Sequence, residues 1–145
     1  MKINIYTDGS YTPKTPDYAG YGFVLITDEG KKVGEGYGQA PATSRQILGE
    51  LASVMRGCLV AIDLGYTEIV VHHDLEGTAN WANGTWKCKN KGTQDYYAFM
   101  NDKLRKNATI SFNWVKGHDG NQWNEYVDAL ANQGRITEEH VVTKF

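Results

Sequence analysis

Hydrophobic and polar positions change their period along this chain, and each change marks an element. In residues 2–8, Ile3, Ile5 and Thr7 alternate with Asn4, Tyr6 and Asp8, the two-residue period of a strand, before Gly9-Ser10 breaks the pattern. A loop with Pro13 and Pro16 follows, and Tyr21 to Thr27 reads as a second strand. Asp28-Glu29-Gly30 is a turn signal, so Lys32 to Gly38 is expected to return as a third strand in an antiparallel meander. From about Thr43 the period lengthens: Ile47, Leu51, Val54, Met55, Cys58 and Ile62 recur at intervals of three and four, the stripe of an amphipathic helix. Thr43 or Ser44 can cap that helix and Gly65 can end it. Glu68 to His73 is a short β-branched strand, expected to run parallel to the first because a helix intervenes. Glu76 to Asn83 predicts a short helix, Thr93 to Lys106 a longer one, Thr109 to Val115 the last strand and Asn121 to Gln133 the last helix. The predicted order is βββαβααβα, an α/β fold with a mixed five-stranded sheet and helices packed on it. A chain of 145 residues without repeat or linker predicts a single domain over 1–145.

Four acids fall at positions where the pattern does not ask for them. Asp8 ends the first strand and Asp74 closes the fourth; parallel neighbours would bring both to one edge of the sheet, where ligands gather in such folds. Glu50 lies on the edge of the apolar stripe of the first helix, where a carboxylate loses hydration unless something pairs with it. Asp128 flanks the buried face set by Trp123, Val127, Leu130 and Ala131, and aspartate is a poor mid-helix residue. Taken singly, each acid also fits a turn or a solvated face. Together they would repel, so the cluster must either hold protons or recruit hard divalent cations, Mg²⁺ or Mn²⁺. His118, in the glycine-flanked loop Lys-Gly-His-Asp-Gly, suits a proton carrier beside that edge. His72 and His73 point to opposite faces of a strand and are read as structural.

Composition narrows the picture without redirecting it. Hydrophobic residues make up 41% and charged residues 22%, ordinary for a globular chain, and no stretch has the apolar length of a membrane span. No secretory signal is read at the N-terminus, so Cys58 and Cys88 are expected as reduced thiols in a cytoplasmic protein. The net charge of −2 hides an asymmetry. Between Trp86 and Lys106 stand Lys87, Lys89, Lys91, Lys103, Arg105 and Lys106 against only Asp95 and Asp102, a local surface for a polyanion or a solvated lysine face.

Five segments in register resemble ribonuclease H of type 1: Tyr-Thr-Asp8-Gly-Ser, Gly-Glu50-Leu-Ala, His-Asp74-Leu-Glu-Gly, Val-Lys-Gly-His118-Asp-Gly, and Asn124-Glu-Tyr-Val-Asp128-Ala-Leu-Ala. Arg45 to Glu50 and Trp81 to Lys91 look like the bacterial and phage branch, in which a short lysine-containing segment replaces a longer basic protrusion, and a separate hybrid-binding domain is not expected. The chain departs from the branch at Gln46, where asparagine is usual, and lacks the Asn-Pro-Gly loop of other branches. The resemblance implies a ribonuclease H fold and hydrolysis of the RNA strand of an RNA–DNA hybrid, leaving 5′-phosphate and 3′-hydroxyl ends.

Two Mg²⁺ ions, replaceable by Mn²⁺, are implied, with Asp8 bridging both, Asp74 and Asp128 on one each, Glu50 completing the second site, and His118 assisting the leaving group. Gln46, Gly49 and Asn124 are candidates for the hybrid's minor groove. Trp81, Trp86, Lys87, Lys89 and Lys91 are candidates for the DNA backbone, although both tryptophans also suit a core. The partner is the hybrid duplex, with no membrane, and the chain is expected to be a monomer. A resolvase or transposase catalytic domain and a noncatalytic hybrid-binding module are the rival readings; the short chain and the His118 loop speak against the first, the intact acidic quartet against the second.

Overall fold

A computed structural model describes residues 1–14, 17–41, 46–115, 122–137 and 139–145. The alternation in the first strand decides the layering. In β1 (Lys2–Ser10), Ile3 and Ile5 are fully buried on one face, in a core shared with Leu51, Val54 and Cys58 of α1 (Gln46–Asp63). Tyr6 points the other way, into a second core with Val24, Ile26 and Val127, the last on α4 (Gln122–Gly134). Strand β2 (Tyr18–Ile26) is buried at every residue after Tyr18, because it is covered on both faces: Tyr21, Phe23 and Leu25 belong to the first core, Val24 and Ile26 to the second. Burying one such aliphatic or aromatic side chain contributes roughly 1.5–3 kcal/mol.

Strand β3 (Lys32–Pro41) completes the meander, and β4 (Glu68–His73) and β5 (Thr109–Trp114) extend the sheet on the other side of β1. Pairing is antiparallel for β1–β2 and β2–β3 and parallel for β1–β4 and β4–β5, as the intervening helices require. The expectation of five strands is corrected to six. Strand β6 (His140–Val142) pairs antiparallel with Glu35 to Tyr37 of β3, and the His140 ring stacks on Tyr37 with centroids 5.2 Å apart, giving the order β5-β4-β1-β2-β3-β6. Three residues are too few to display a two-residue period, and an edge strand is defined by the neighbour it finds.

Helix α1 ends as expected, with Gly65 in the left-handed region at φ +94°. The proposed caps, Thr43 and Ser44, lie outside the described residues. Helix α2 (Gly77–Ala82) is a little shorter than predicted. The single helix expected over Thr93–Lys106 is instead α3 (Lys91–Ala98), followed by a π-helical turn at Phe99–Lys103 and a 3₁₀ turn at Leu104–Lys106. Tyr96, Met100 and Leu104 are all buried and lie four residues apart. In a regular α-helix such a row rotates by about 40° per step, and the wider π turn reduces that drift so that all three reach the core. No helix among the described residues is long and apolar enough to cross a membrane.

Helix α4 lies unusually close to the sheet because it crosses glycine. A Cβ at Gly22 would stand 2.7 Å from the Ala131 backbone nitrogen, and one at Gly20 would collide with the Ala131 carbonyl. Gly22 is the β2 partner of Asp8, so this close approach also sets how near α4 comes to the end of β1.

Candidate metal centre

Two parallel strands carry the first two acids to one edge. Tyr6 pairs with His72, and the chains run on together so that Asp8 and Asp74 each stand two residues further along. The backbone around Asp74 is held from several sides: the Trp114 indole donates to its carbonyl at 3.1 Å, the Val115 amide donates to the His73 carbonyl at 2.7 Å, and His73 Nδ1 meets the Leu75 carbonyl at 2.8 Å. Since a carbonyl can only accept, Nδ1 carries the proton of a neutral ring. Burial lowers the His73 pKa, consistent with that assignment. His72 projects to the opposite face and stacks on Tyr6 at 4.5 Å, so the two histidines do part as their neighbouring strand positions require.

Glu50 comes from α1, beneath the same edge. It is 2% exposed, and its Oε1 accepts from the Thr7 hydroxyl at 2.9 Å and from the Thr78 hydroxyl at 3.4 Å. Carboxylate oxygens of Asp8, Glu50 and Asp74 lie within 4.8 Å of one another. Asp128 is not part of that tight group, but its charge acts on Asp8 from α4. Asn132 Nδ2 donates to Asp128 Oδ2 at 3.5 Å, while Asn132 Oδ1 accepts from Ser10 at the end of β1 and from Arg135 at 3.2 Å.

Electrostatics follows from this crowding. Burial, then the charges of Glu50, Asp74 and Asp128, push the Asp8 carboxyl up to about 9, opposed by the Gly9 amide that donates to its Oδ1. Burial and Asp74 raise Glu50 to about 8, opposed by the two threonine hydroxyls. Three carboxylates held this way carry protons or share a cation. The donor set fits a hard divalent ion: every ligand atom is a carboxylate oxygen, and Glu50 Oε2 is buried without a hydrogen-bond partner among the described residues.

The remaining candidates divide. His118 and the side chain of Gln46 lie outside the described residues. Gly49 is buried, and a Cβ there would run into the Gly20 carbonyl, so close packing of α1 on the sheet accounts for that glycine. Asn124 is 7% exposed in the first turn of α4, and its Nδ2 has no partner among the described residues. Lys87 and Lys89 are exposed beside Trp86, which is 40% exposed and meets Trp81 edge-on at 5.7 Å. Lys91 is paired with Asp95 at 3.0 Å. Thr7, Thr78 and Asn132 touch the acids, and the sequence pattern singles out none of them. Signals exist for Thr7, whose strand parity points it at α1, and for Asn132, which stands one helical turn after Asp128; none exists for Thr78.

The RNase H family model matches residues 1–136, nearly the whole chain and every acid described above. The chain belongs to the RNase H family. It is an enzyme of the ribonuclease H kind, in agreement with the resemblance its motifs carried. The ribonuclease H of Cupriavidus metallidurans is 31% identical over 92% of this chain and 95% of its own length. Among solved structures, the N-terminal RNase H domain of a Mycobacterium tuberculosis protein is similar with TM-score 0.79 and 26% identity, covering 93% of this chain and 99% of that one. LC11-RNase H1, solved in complex with an RNA/DNA hybrid, matches with TM-score 0.74 and 20% identity over 90% of this chain and 97% of that one. Strand β6 falls after the matched residues.

Proposed function

We propose that this RNase H family enzyme hydrolyses the RNA strand of RNA–DNA hybrids, using two divalent ions and leaving 5′-phosphate and 3′-hydroxyl ends. The observation that carries the reading is the convergence of Asp8, Glu50 and Asp74 at the strand ends of an RNase H sheet. The binding of a hybrid by LC11-RNase H1 supports the choice of substrate. Asp8, Glu50, Asp74 and Asp128 would hold the ions. Mg²⁺, or Mn²⁺ in its place, supplies when bound a Lewis acid that stabilises charge on the attacking and departing oxygens.

The residues of the chain do the rest. The four carboxylates would fix where the scissile phosphate lies, because an anionic phosphate can approach that edge only where cations compensate their charge. Asp74 is held in place by the backbone bonds around it, and Asp128 by Asn132. His118 would bring a proton to the departing 3′-oxygen or ease product release. Gln46, Asn124 and backbone groups near Gly49 would hydrogen-bond in the minor groove and to its 2′-hydroxyls, with Trp81, Trp86, Lys87, Lys89 and Lys91 along the DNA backbone. We read the chain as a single-domain, monomeric, cytoplasmic enzyme.

A panel of uniformly labelled duplexes tests this, each assayed with Mg²⁺, with Mn²⁺ and with chelator. Cleavage confined to the RNA of the hybrid and abolished by chelator is expected. Cleavage of duplex DNA or four-way junctions with the hybrid untouched would overturn the reading in favour of a resolvase-like nuclease.

A further inference from the structure

Glu50 is bonded in a lopsided way. Both hydroxyls that reach it, Thr7 Oγ1 at 2.9 Å and Thr78 Oγ1 at 3.4 Å, donate to the same oxygen, Oε1. The other oxygen, Oε2, is equally buried and has no partner among the described residues. Leaving a buried carboxylate oxygen unpartnered is unfavourable, and two donors spread over both oxygens would relieve it. The two threonines are themselves buried, at 3% and 0% exposure, and neither is free to turn elsewhere at low cost.

Both threonines are also held by the elements around them. Thr7 sits in β1 immediately before Asp8, and the one proton of its hydroxyl goes to the closer acceptor, Glu50 Oε1 at 2.9 Å, rather than to the His72 carbonyl at 3.4 Å. Thr78 lies in α2, where its amide donates to the Leu75 carbonyl at 3.0 Å and its own carbonyl accepts from the buried Tyr96 hydroxyl of α3 at 2.8 Å. A chain of hydrogen bonds thus runs from α3 through α2 to Glu50 and on to β1, and fixes the rotation of one carboxylate.

We propose that Thr7 and Thr78 are positioning residues that clamp Glu50 by Oε1 and so present Oε2 to a divalent cation. The inference rests on the reading of Glu50 as a metal ligand. Partners that orient a ligating carboxylate commonly alter metal affinity or activity by about 10–100-fold when removed. The clamp divides the labour between them: Thr7 ties Glu50 to the strand that carries Asp8, and Thr78 ties it to the helix that follows Asp74. Glu50 Oε1 is therefore the point at which the third acid is fixed relative to the two that β1 and β4 bring together.

The test is a Mn²⁺ titration by calorimetry on the folded protein without nucleic acid, comparing wild type, Glu50→Gln, the Thr7→Val/Thr78→Val pair and the Thr7→Ser/Thr78→Ser pair. The valine pair keeps the shape and removes both donors; it is expected to bind Mn²⁺ roughly tenfold or more weakly and to lower kcat for hybrid cleavage with KM little changed. The serine pair keeps both donors and is expected to restore binding, a rescue that loss of packing alone would not give. Wild-type affinity in the valine pair, with Glu50→Gln weakened, overturns the clamp and leaves the metal reading standing. Wild-type affinity in Glu50→Gln removes Glu50 from the metal site and the clamp with it. Should the valine pair fail to fold, the single Thr78→Val and Thr78→Ser variants decide by the same comparison.

Discussion

The acidic edge and the Trp81–Lys91 segment are both read as parts of one nuclease site, yet they are built on opposite principles. At the edge, Asp8 and Glu50 are buried, repel one another and are held by strands, a helix and two threonines. In the lysine segment, Lys87 and Lys89 stand in solvent with Trp86 half exposed, and Lys91 has already found a partner in Asp95. Buried charge is unfavourable to the fold and is retained for what it binds; exposed charge is nearly neutral to the fold and acts through its field. Substitution at the edge should therefore abolish chemistry and raise stability, whereas substitution in the segment should weaken binding and leave stability alone.

The largest break in that contrast is Asp8→Asn. Hybrid cleavage is expected to fall by about three orders of magnitude, on the order of 4 kcal/mol of lost transition-state stabilisation, while the metal-free protein melts at a higher temperature. Near-normal turnover would remove Asp8 from the chemistry.

Next comes pH. The folded-state values of Asp8 and Glu50 lie near 9 and 8, above their ordinary 3.8 and 4.5, so the folded protein holds more protons than the unfolded chain between those limits. Their favourable contribution is complete below about pH 4 and is lost as pH rises through 8 to 9. Urea midpoints measured in chelator should fall from pH 5 to pH 9, and saturating Mg²⁺ should offset the fall at the alkaline end. Flat midpoints in chelator would show that the acids are not crowded as described.

A smaller effect is expected from Lys87→Ala/Lys89→Ala. KM for the hybrid should rise with kcat nearly constant, and the dependence of log affinity on log salt should flatten by roughly one for each phosphate that the variant no longer neutralises. An unchanged salt slope would mean that these lysines are solvated only. Smallest is Lys91→Ala, whose stability effect should stay within about 0.5 kcal/mol, the scale of an exposed i,i+4 pair. A KM increase as large as that of the other two lysines would show that the Asp95 pair opens on binding.

Legibility in the sequence followed the same divide. The meander, the crossover helix and the parallel fourth strand were readable because period-two and period-3.6 patterns recur over many residues. The sheet edge shared by Asp8 and Asp74 followed from strand order alone. The sixth strand was not readable, since three residues carry no period and their register is set by β3. Nor was the π turn after Ala98, which arises from the demand that Tyr96, Met100 and Leu104 share one core.

By itself, then, the sequence determined which residues could carry the chemistry and on which elements they ride: Asp8 and Asp74 at strand ends, Glu50 and Asp128 on helices. Those assignments depend on local periodicity, which short stretches of chain encode. Only the tertiary structure decided how the acids are held. The glycines that let α4 settle on β2, the bond from Ser10 to Asn132, and the two threonines on one oxygen of Glu50 join residues as many as 122 positions apart. Such contacts leave no periodic trace along the chain, because their partners are chosen by packing rather than by neighbourhood in sequence.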